Sequence, residues 1–238
     1  MPVPMNDPRI RGMLDAAAGA MVAPAWEVVR PAGAGDPNLA SALGMRNSKT
    51  SGKDDGQEAR QLDGGIMKMA MQTGPSNPLI LPPEFDSVIY VIDGSGSMAG
   101  GKFERVAAVL VDAVRQMQPN QKFMVLLFNT LAIRAQGVGY REATPENVSR
   151  LAAELRTAVP VGGTDPTDAL LFAIQQKPQT IVMLSDGEFE PRIVDAVTHL
   201  NFSSGLNSQI NCIAIGQDVQ TLRRLATQNG PGNYMITN

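Results

Sequence analysis

Four short, unbroken apolar runs constrain this chain more than any other feature of its sequence. They are 87–92 (SVIYVI), 123–128 (FMVLLF), 180–184 (TIVML) and 210–215 (INCIAI). Each has the length of a strand and is too short for an ordinary helix, and none alternates apolar with polar side chains. A strand that is apolar on both sides must be covered on both faces, as parallel strands are inside an α/β sheet. The segments between the runs carry helical spacing. Phe103, Val106, Leu110, Val114 and Met117 fall on one helix face, and further helices are expected over 146–157, 166–176, 191–200 and 219–229. The stretch 131–140 reads as an edge strand pairing with the second run, and Tyr234–Thr237 as a final strand. This alternation predicts an α/β fold: a doubly wound, Rossmann-like, mostly parallel sheet with helices on both faces. No internal repeat is evident.

The first third of the chain has another character. Ten of the seventeen prolines lie before residue 84, together with the polar tract 46–56 (RNSKTSGKDDG). Such a segment buries too little apolar surface to offset the entropy of ordering it. Residues 1–83 are therefore expected to form an irregular, linker-like extension, and 84–238 the folded domain. Within the extension, Ile10, Met13, Leu14, Ala17 and Met21 recur at helical spacing after Asp7 and Pro8, which suggests a short helix over 8–22. Met67, Met69 and Met71 alternate like a strand, although a flexible tract reads the same way. Trp26 is a candidate anchor for the extension, on the domain or on a partner.

Composition narrows the function classes. A net charge of −3 offers no basic surface for nucleic acid. The single cysteine, Cys212, excludes an intramolecular disulfide framework and a multi-cysteine zinc site. No apolar run approaches the ~20 residues of a membrane-spanning helix. Residues 13–25 faintly imitate a secretory leader after Arg9 and Arg11, but Asp15 interrupts them, and alanine and glycine stand where leucine is expected. A cytoplasmic location is slightly favoured on that basis; the oligomeric state is left open.

In a doubly wound fold, ligands bind beyond the carboxyl ends of the strands. The first run ends in Asp93-Gly94-Ser95-Gly96-Ser97 and the third in Ser185-Asp186-Gly187, and Gly162-Gly163-Thr164-Asp165 precedes a helix between them. Asp93, Ser95 and Ser97 resemble the D-x-S-x-S motif of von Willebrand factor type A domains, which forms part of their metal-ion-dependent adhesion site. Thr164 in its Gly-Gly-Thr setting resembles that family's threonine, and Asp186 its second aspartate. The resemblance covers about residues 84–238 and departs from the pattern at none of the five positions. It implies a domain that binds a divalent metal, magnesium first with manganese or calcium as alternatives, and captures an acidic residue of a protein partner through it.

The residue chemistry supports that reading. Magnesium prefers six oxygen ligands and keeps several waters. Gly94 and Gly96 allow a tight turn that presents Asp93, Ser95 and Ser97 together. The resemblance implies that Asp93 and Asp186 act largely through bound waters, so the neutral hydroxyls nearest the ion compensate little of its charge, and an incoming Asp or Glu completes the shell favourably. The plainer alternative is that Asp93 caps the following helix and its serines and glycines only shape the turn. Asp165, Asp168, Glu188 and Glu190 are expected to be solvated loop and helix-cap residues, and Lys102 and Arg105 ordinary helix-surface charges. His199 has no evident catalytic companion, and Cys212 reads as a small buried hydrophobe.

The main rival is a nucleotide-binding phosphate loop. Residues 96–102 (GSMAGGK) fit G-x-x-x-x-G-K, and the apolar strand ending at Asp186 resembles a magnesium-holding aspartate strand. Against it, Phe103 stands where a hydroxyl residue should ligate magnesium, and Asp93 is left facing anionic phosphates. Phosphoryl transfer from Asp93 lacks the usual second aspartate at Ser95. A hydrolytic triad has no histidine but His199 to draw on. The expectation is a binding domain and not an enzyme.

Overall fold

The computed structural model describes residues 26–29, 79–130, 133–136, 139–203, 205 and 207–237. The sequence readings at 8–22 and at Met67, Met69 and Met71 lie outside them. The described residues build an eight-stranded sheet from β1 (Trp26–Val29), β2 (Ser87–Asp93), β3 (Lys122–Phe128), β4 (Ile133–Gln136), β5 (Arg141–Glu142), β6 (Thr180–Ser185), β7 (Gln209–Ile215) and β8 (Tyr234–Thr237). Its order is β1-β4-β3-β2-β6-β7-β8, with the two-residue β5 pairing with β3 off that path. The four apolar runs are the four central strands β3, β2, β6 and β7, and they are mutually parallel. β8 continues the parallel order, β4 pairs antiparallel with β3, and β1 pairs antiparallel with β4, so the strand expected at the edge lies one place inside it.

Among the described residues five helices cover this sheet: α1 (Lys102–Arg115), α2 (Pro145–Thr157), α3 (Thr167–Gln175), α4 (Pro191–Ser203) and α5 (Gln220–Gln228). Because successive strand residues point to opposite faces, β2 feeds two cores. Ile89 and Val91 join the core beneath α3, α4 and α5, whereas Val88, Tyr90 and Ile92 join the one beneath α1 and α2. All five of these side chains are fully buried. That double burial explains why β2 reads as a continuous apolar run. It also confirms the doubly wound architecture expected from the alternation.

Helix ends follow local chemistry. Thr144 caps α2 by accepting from the Asn147 amide, with Pro145 at the first turn. The fourth helix runs to Ser203, a turn beyond the sequence expectation, because its last turn buries a polar residue. Asn201 donates to the Ser208 carbonyl at 2.8 Å and to Asn229 Oδ1 at 3.0 Å, and accepts from the Ser208 amide at 2.9 Å. A buried asparagine satisfied in this way is stable inside the fold, yet it breaks the apolar period by which a helix is traced.

Two findings extend the folded unit before residue 84. Leu79 and Leu81 are core residues beside α1, and the buried Tyr90 hydroxyl donates to the Leu79 carbonyl at 2.8 Å. Farther upstream, Trp26–Val29 lies antiparallel to β4 in the register Trp26↔Gln136. A four-residue edge strand acquires its order from its partner's backbone, which composition does not reveal.

Strand β8 is held against α5 by close backbone approach at Gly232. A Cβ on that residue would fall well inside contact distance of the carbonyl oxygens of Ile210 and Ala226. Gly232→Ala is therefore expected to destabilise the fold by about 2 kcal/mol, the scale of overpacking. Urea denaturation checks this, and a change under about 0.5 kcal/mol would contradict the packing of β7, β8 and α5.

Candidate metal centre

The chain moves from β2 through α1 to β3 on one side, then places β6 on β2's other side. This reversal opens a crevice at the carboxyl ends of β2 and β6. Their parallel register pairs Ile92 with Leu184, so Asp93 and Ser185 leave the sheet side by side. Ser185 Oγ donates to Asp93 Oδ2, and the Ser95 amide donates to Asp93 Oδ1 at 2.8 Å. Asp93 thus closes a local turn and bridges to the neighbouring strand. It does not cap α1, whose N-terminal flank is Gly101.

Two further loops, the one after β3 and the one before α3, are tied to this turn by their backbones. The Gly94 amide donates to the Phe128 carbonyl at 2.8 Å, and the Gly94 carbonyl accepts from the Val161 amide at 2.8 Å. The Gly96 amide donates to the Gly162 carbonyl at 2.9 Å. Gly163 is fixed in turn by Thr130, which accepts from its amide and donates to its carbonyl, each at 3.0 Å. A Cβ on Gly94 would press on the Leu127 side chain at 3.1 Å, so any larger residue here requires Leu127 to shift. Thr164, next along this loop, stands against the third strand end. Its Oγ1 lies 3.1 Å from where a Cβ on Gly187 would be.

The polar atoms then form a chain. Ser95 Oγ and Ser97 Oγ are hydrogen-bonded at 2.9 Å, and Ser97 Oγ donates to Asp186 Oδ1 at 2.7 Å. Lys102 Nζ meets Asp186 Oδ2 at 2.6 Å. Asp93, Ser95 and Asp186 are buried, Thr164 is half-buried, and Ser97 is exposed at the rim. All five sequence-derived candidates therefore meet at one end of the sheet. Burial pushes the Asp93 carboxyl above the ordinary carboxylate range. Hydrogen bonds from Ser185 and Ser95 oppose that shift, and the Asp186 charge adds to it.

Other residues behave as follows. Asp165 accepts from the Thr167 amide and hydroxyl at the start of α3, and Glu190 pairs with Arg192. Glu188 is indeed a helix cap, but of α5: it accepts from the Gln220 and Thr221 amides and from the Thr221 hydroxyl at 2.6 Å. His199 is exposed, and Cys212 is buried in β7, where burial pushes its thiol up and keeps it protonated. Lys102 corrects the expectation of an ordinary helix-surface charge, because Gly100 and Gly101 at φ 76 and 96° swing the chain so that its ammonium lies over Asp186. Sequence reasoning also missed the role of Ser185, although a serine ending an apolar strand beside Asp186 was its only signal.

What this arrangement offers chemically is a set of hard oxygens. Two carboxylates and three hydroxyls suit magnesium, calcium or manganese and not a soft or nitrogen-preferring ion. Among the described residues no group of three or more His, Cys, Asp or Glu side chains forms a metal cage. A site here would depend on neutral hydroxyls as much as on charge.

A family model described as the von Willebrand factor type A domain matches residues 86–236. The chain belongs to that family. Among curated relatives, inter-alpha-trypsin inhibitor heavy chain H4 of Homo sapiens is 27% identical over 164 residues, covering 60% of this chain and 17% of that protein. Heavy chain H6 of Homo sapiens is 28% identical over 172 residues, covering 64% and 13%. The chain thus spans less than a fifth of the length of these relatives. A solved von Willebrand factor type A protein from Catenulispora acidiphila superposes with a TM-score of 0.57 at 18% identity, covering 65% of this chain and 39% of that one. That likeness shows the shared fold. Residues 86–236 are thus a von Willebrand A domain, a kind of domain that typically serves as a protein–protein interaction module. No helix among the described residues is long and apolar enough to cross a membrane.

The Asp93 environment makes a prediction for the von Willebrand A domain in excess chelator. Its folded pKa is raised, so the buried charge costs stability above that pKa, and the cost vanishes below the unfolded value of about 4. Asp93→Asn removes the ionisable group. It is expected to be more stable than wild type at pH 7, with the advantage shrinking as pH falls toward 4. Urea denaturation of both proteins at pH 7, 5.5 and 4 measures this, and a pH-independent difference would refute the assignment.

Proposed function

We propose that this von Willebrand A domain binds a divalent cation through Asp93, Ser95, Ser97, Thr164 and Asp186, and through it captures an Asp or Glu side chain of a protein partner. Magnesium is the expected ion, with manganese or calcium as alternatives. The observation that carries this reading is the hydrogen-bonded chain Ser95–Ser97–Asp186 beside the Asp93 turn, with Thr164 against Gly187. Its five side chains come from three separate loops and supply only oxygen.

The ion would supply a fixed positive charge at the end of the sheet. The chain's own residues hold the oxygens in place. Asp93 anchors the turn through Ser95 and Ser185, and the hydroxyls of Ser95, Ser97 and Thr164 rotate to present lone pairs. Neutral hydroxyls compensate a divalent charge less than carboxylates do, so affinity for an external carboxylate is retained. The loop carrying Asp186 is pinned by the Gln217 side chain on the Asp186 carbonyl at 2.9 Å and by Glu188 on α5. A site held by backbone hydrogen bonds costs little to organise when the partner arrives.

The phosphate-loop alternative for 96–102 draws nothing from this arrangement. Gly96–Met98 closes as a 3-10 turn, and Phe103 stands where a hydroxyl residue should ligate magnesium. Residues 84–238 with the added Leu79, Leu81 and Trp26–Val29 contacts are the unit we assign to this function; the rest of 1–83 is read as an extension.

Calorimetric titration of manganese into chelator-stripped protein tests the reading. Wild type is expected to bind one ion, and Asp93→Ala and Thr164→Ala to lose at least about tenfold in affinity while keeping the wild-type circular dichroism spectrum. Equal affinity in all three proteins would rule out this site.

A further inference from the structure

We propose that Lys102 is an internal counter-cation that a divalent ion must displace from Asp186, so that this one lysine sets the metal affinity of the site. The proposal rests on the metal-binding reading above and concerns a residue outside its ligand set.

Three observations carry it. First, Lys102 Nζ lies 2.6 Å from Asp186 Oδ2, while Ser97 Oγ occupies Oδ1 at 2.7 Å. Both oxygens of the carboxylate are thus engaged, one of them by a positive charge. Secondly, the partners are unequally exposed: the Lys102 side chain is 35% accessible, the Asp186 side chain 2%. The ammonium is the solvent-side member of the pair and lies over a carboxylate that has no other cation among the described residues. Thirdly, Lys102 opens α1 directly after the left-handed Gly100 and Gly101, which turn the chain back toward the strand ends.

The two donors on Asp186 respond differently to an incoming ion. The Ser97 hydroxyl holds lone pairs as well as a proton, so it rotates and becomes a ligand. A lysine ammonium has three donors and no acceptor. It can neither ligate the ion nor stay near it without like-charge repulsion. It must leave, and its flexible four-carbon stem allows that without backbone movement. Ion entry would therefore be an exchange: the ion would replace the ammonium as the counter-charge of Asp186, directly or through a bound water, and the ammonium would pass to solvent. The exchange makes affinity lower than the same five oxygens would otherwise give. In return, Asp186 never stands buried without a counter-charge, a condition that is strongly destabilising.

The test uses the full chain and manganese alone. Calorimetry on chelator-stripped wild type, Lys102→Met and Lys102→Gln is expected to give about tenfold tighter binding in both variants, the scale of removing a nearby unit charge from a screened site. Arg105→Met deletes a charge from the same helix without touching Asp186, and is expected to bind as wild type does. Thermal unfolding adds a readout independent of affinity. Without manganese both Lys102 variants should melt below wild type, and saturating manganese should raise their midpoints by more. Wild-type affinity in the Lys102 variants, or weaker binding, overturns the exchange while leaving the metal centre standing. Equal tightening in Arg105→Met also overturns it, since net charge alone would then be the cause. No manganese binding by any of the four proteins overturns the metal centre itself, and the exchange with it.

Discussion

The parallel pairing of β2 with β6 is the constraint from which the rest of the site follows. With Ile92 opposite Leu184, the last apolar residues of the two strands align, and the polar residues that succeed them emerge together. Asp93 then meets Ser185, and Asp186 falls within reach of Ser97. A slip of one residue would turn every β6 side chain to the other face. Ile181 and Met183 would exchange cores with Val182 and Leu184, so the two apolar cores that bury them enforce the register. The polar cluster at the strand ends is thus positioned by hydrophobic packing beneath it, and contributes little to its own placement.

That packing has an electrostatic cost. Two carboxylates, both nearly inaccessible, lie at adjacent strand ends. The protein manages them in different ways. Asp93 is stabilised by neutral donors, Ser95 and Ser185, which leave its charge uncompensated and its pKa raised by burial. Asp186 receives one hydroxyl and one ammonium. The outcome is a local excess of buried negative charge at the end of the sheet, which stable packing alone gives no reason to keep. On the proposed reading, that uncompensated charge is what a divalent cation would meet at this end of the sheet.

The sequence made the central architecture legible because parallel strands covered on both faces leave a signature that no exposed element imitates. The five candidate residues were equally visible, each sitting where an apolar run stops or a helix begins. What escaped was whatever depends on distant partners. Lys102 reads as a helix-surface residue by its spacing from Phe103, and only the left-handed path through Gly100 and Gly101 carries it over Asp186. Glu188 looks like a loop acid until α5, more than thirty residues on, supplies its amides. Trp26–Val29 pairs with β4 through backbone groups that any sequence possesses. Asn201 is polar where helical periodicity expects the pattern to end, and it stays because Ser208 and Asn229 satisfy it.

Rigid and adjustable parts of the site are distinct. The backbone frame is held redundantly: Gly94 by Phe128 and Val161, Gly96 by Gly162, Gly163 by Thr130, and the Asp186 loop by Gln217 and Glu188. Side-chain hydroxyls on that frame can reorient by rotation about one bond, and Lys102 can swing on a flexible stem. Charge can therefore change at this end of the sheet while the strands beneath keep their positions. A frame of this kind suits recognition, since the partner meets a preorganised surface whose electrostatics alone depend on what the pocket holds. Proton-transfer chemistry would need more: a base matched in pKa to its task and placed beside a nucleophile. The Ser95 and Ser97 hydroxyls are instead hydrogen-bonded to each other, and Ser97 to a carboxylate that already carries a lysine.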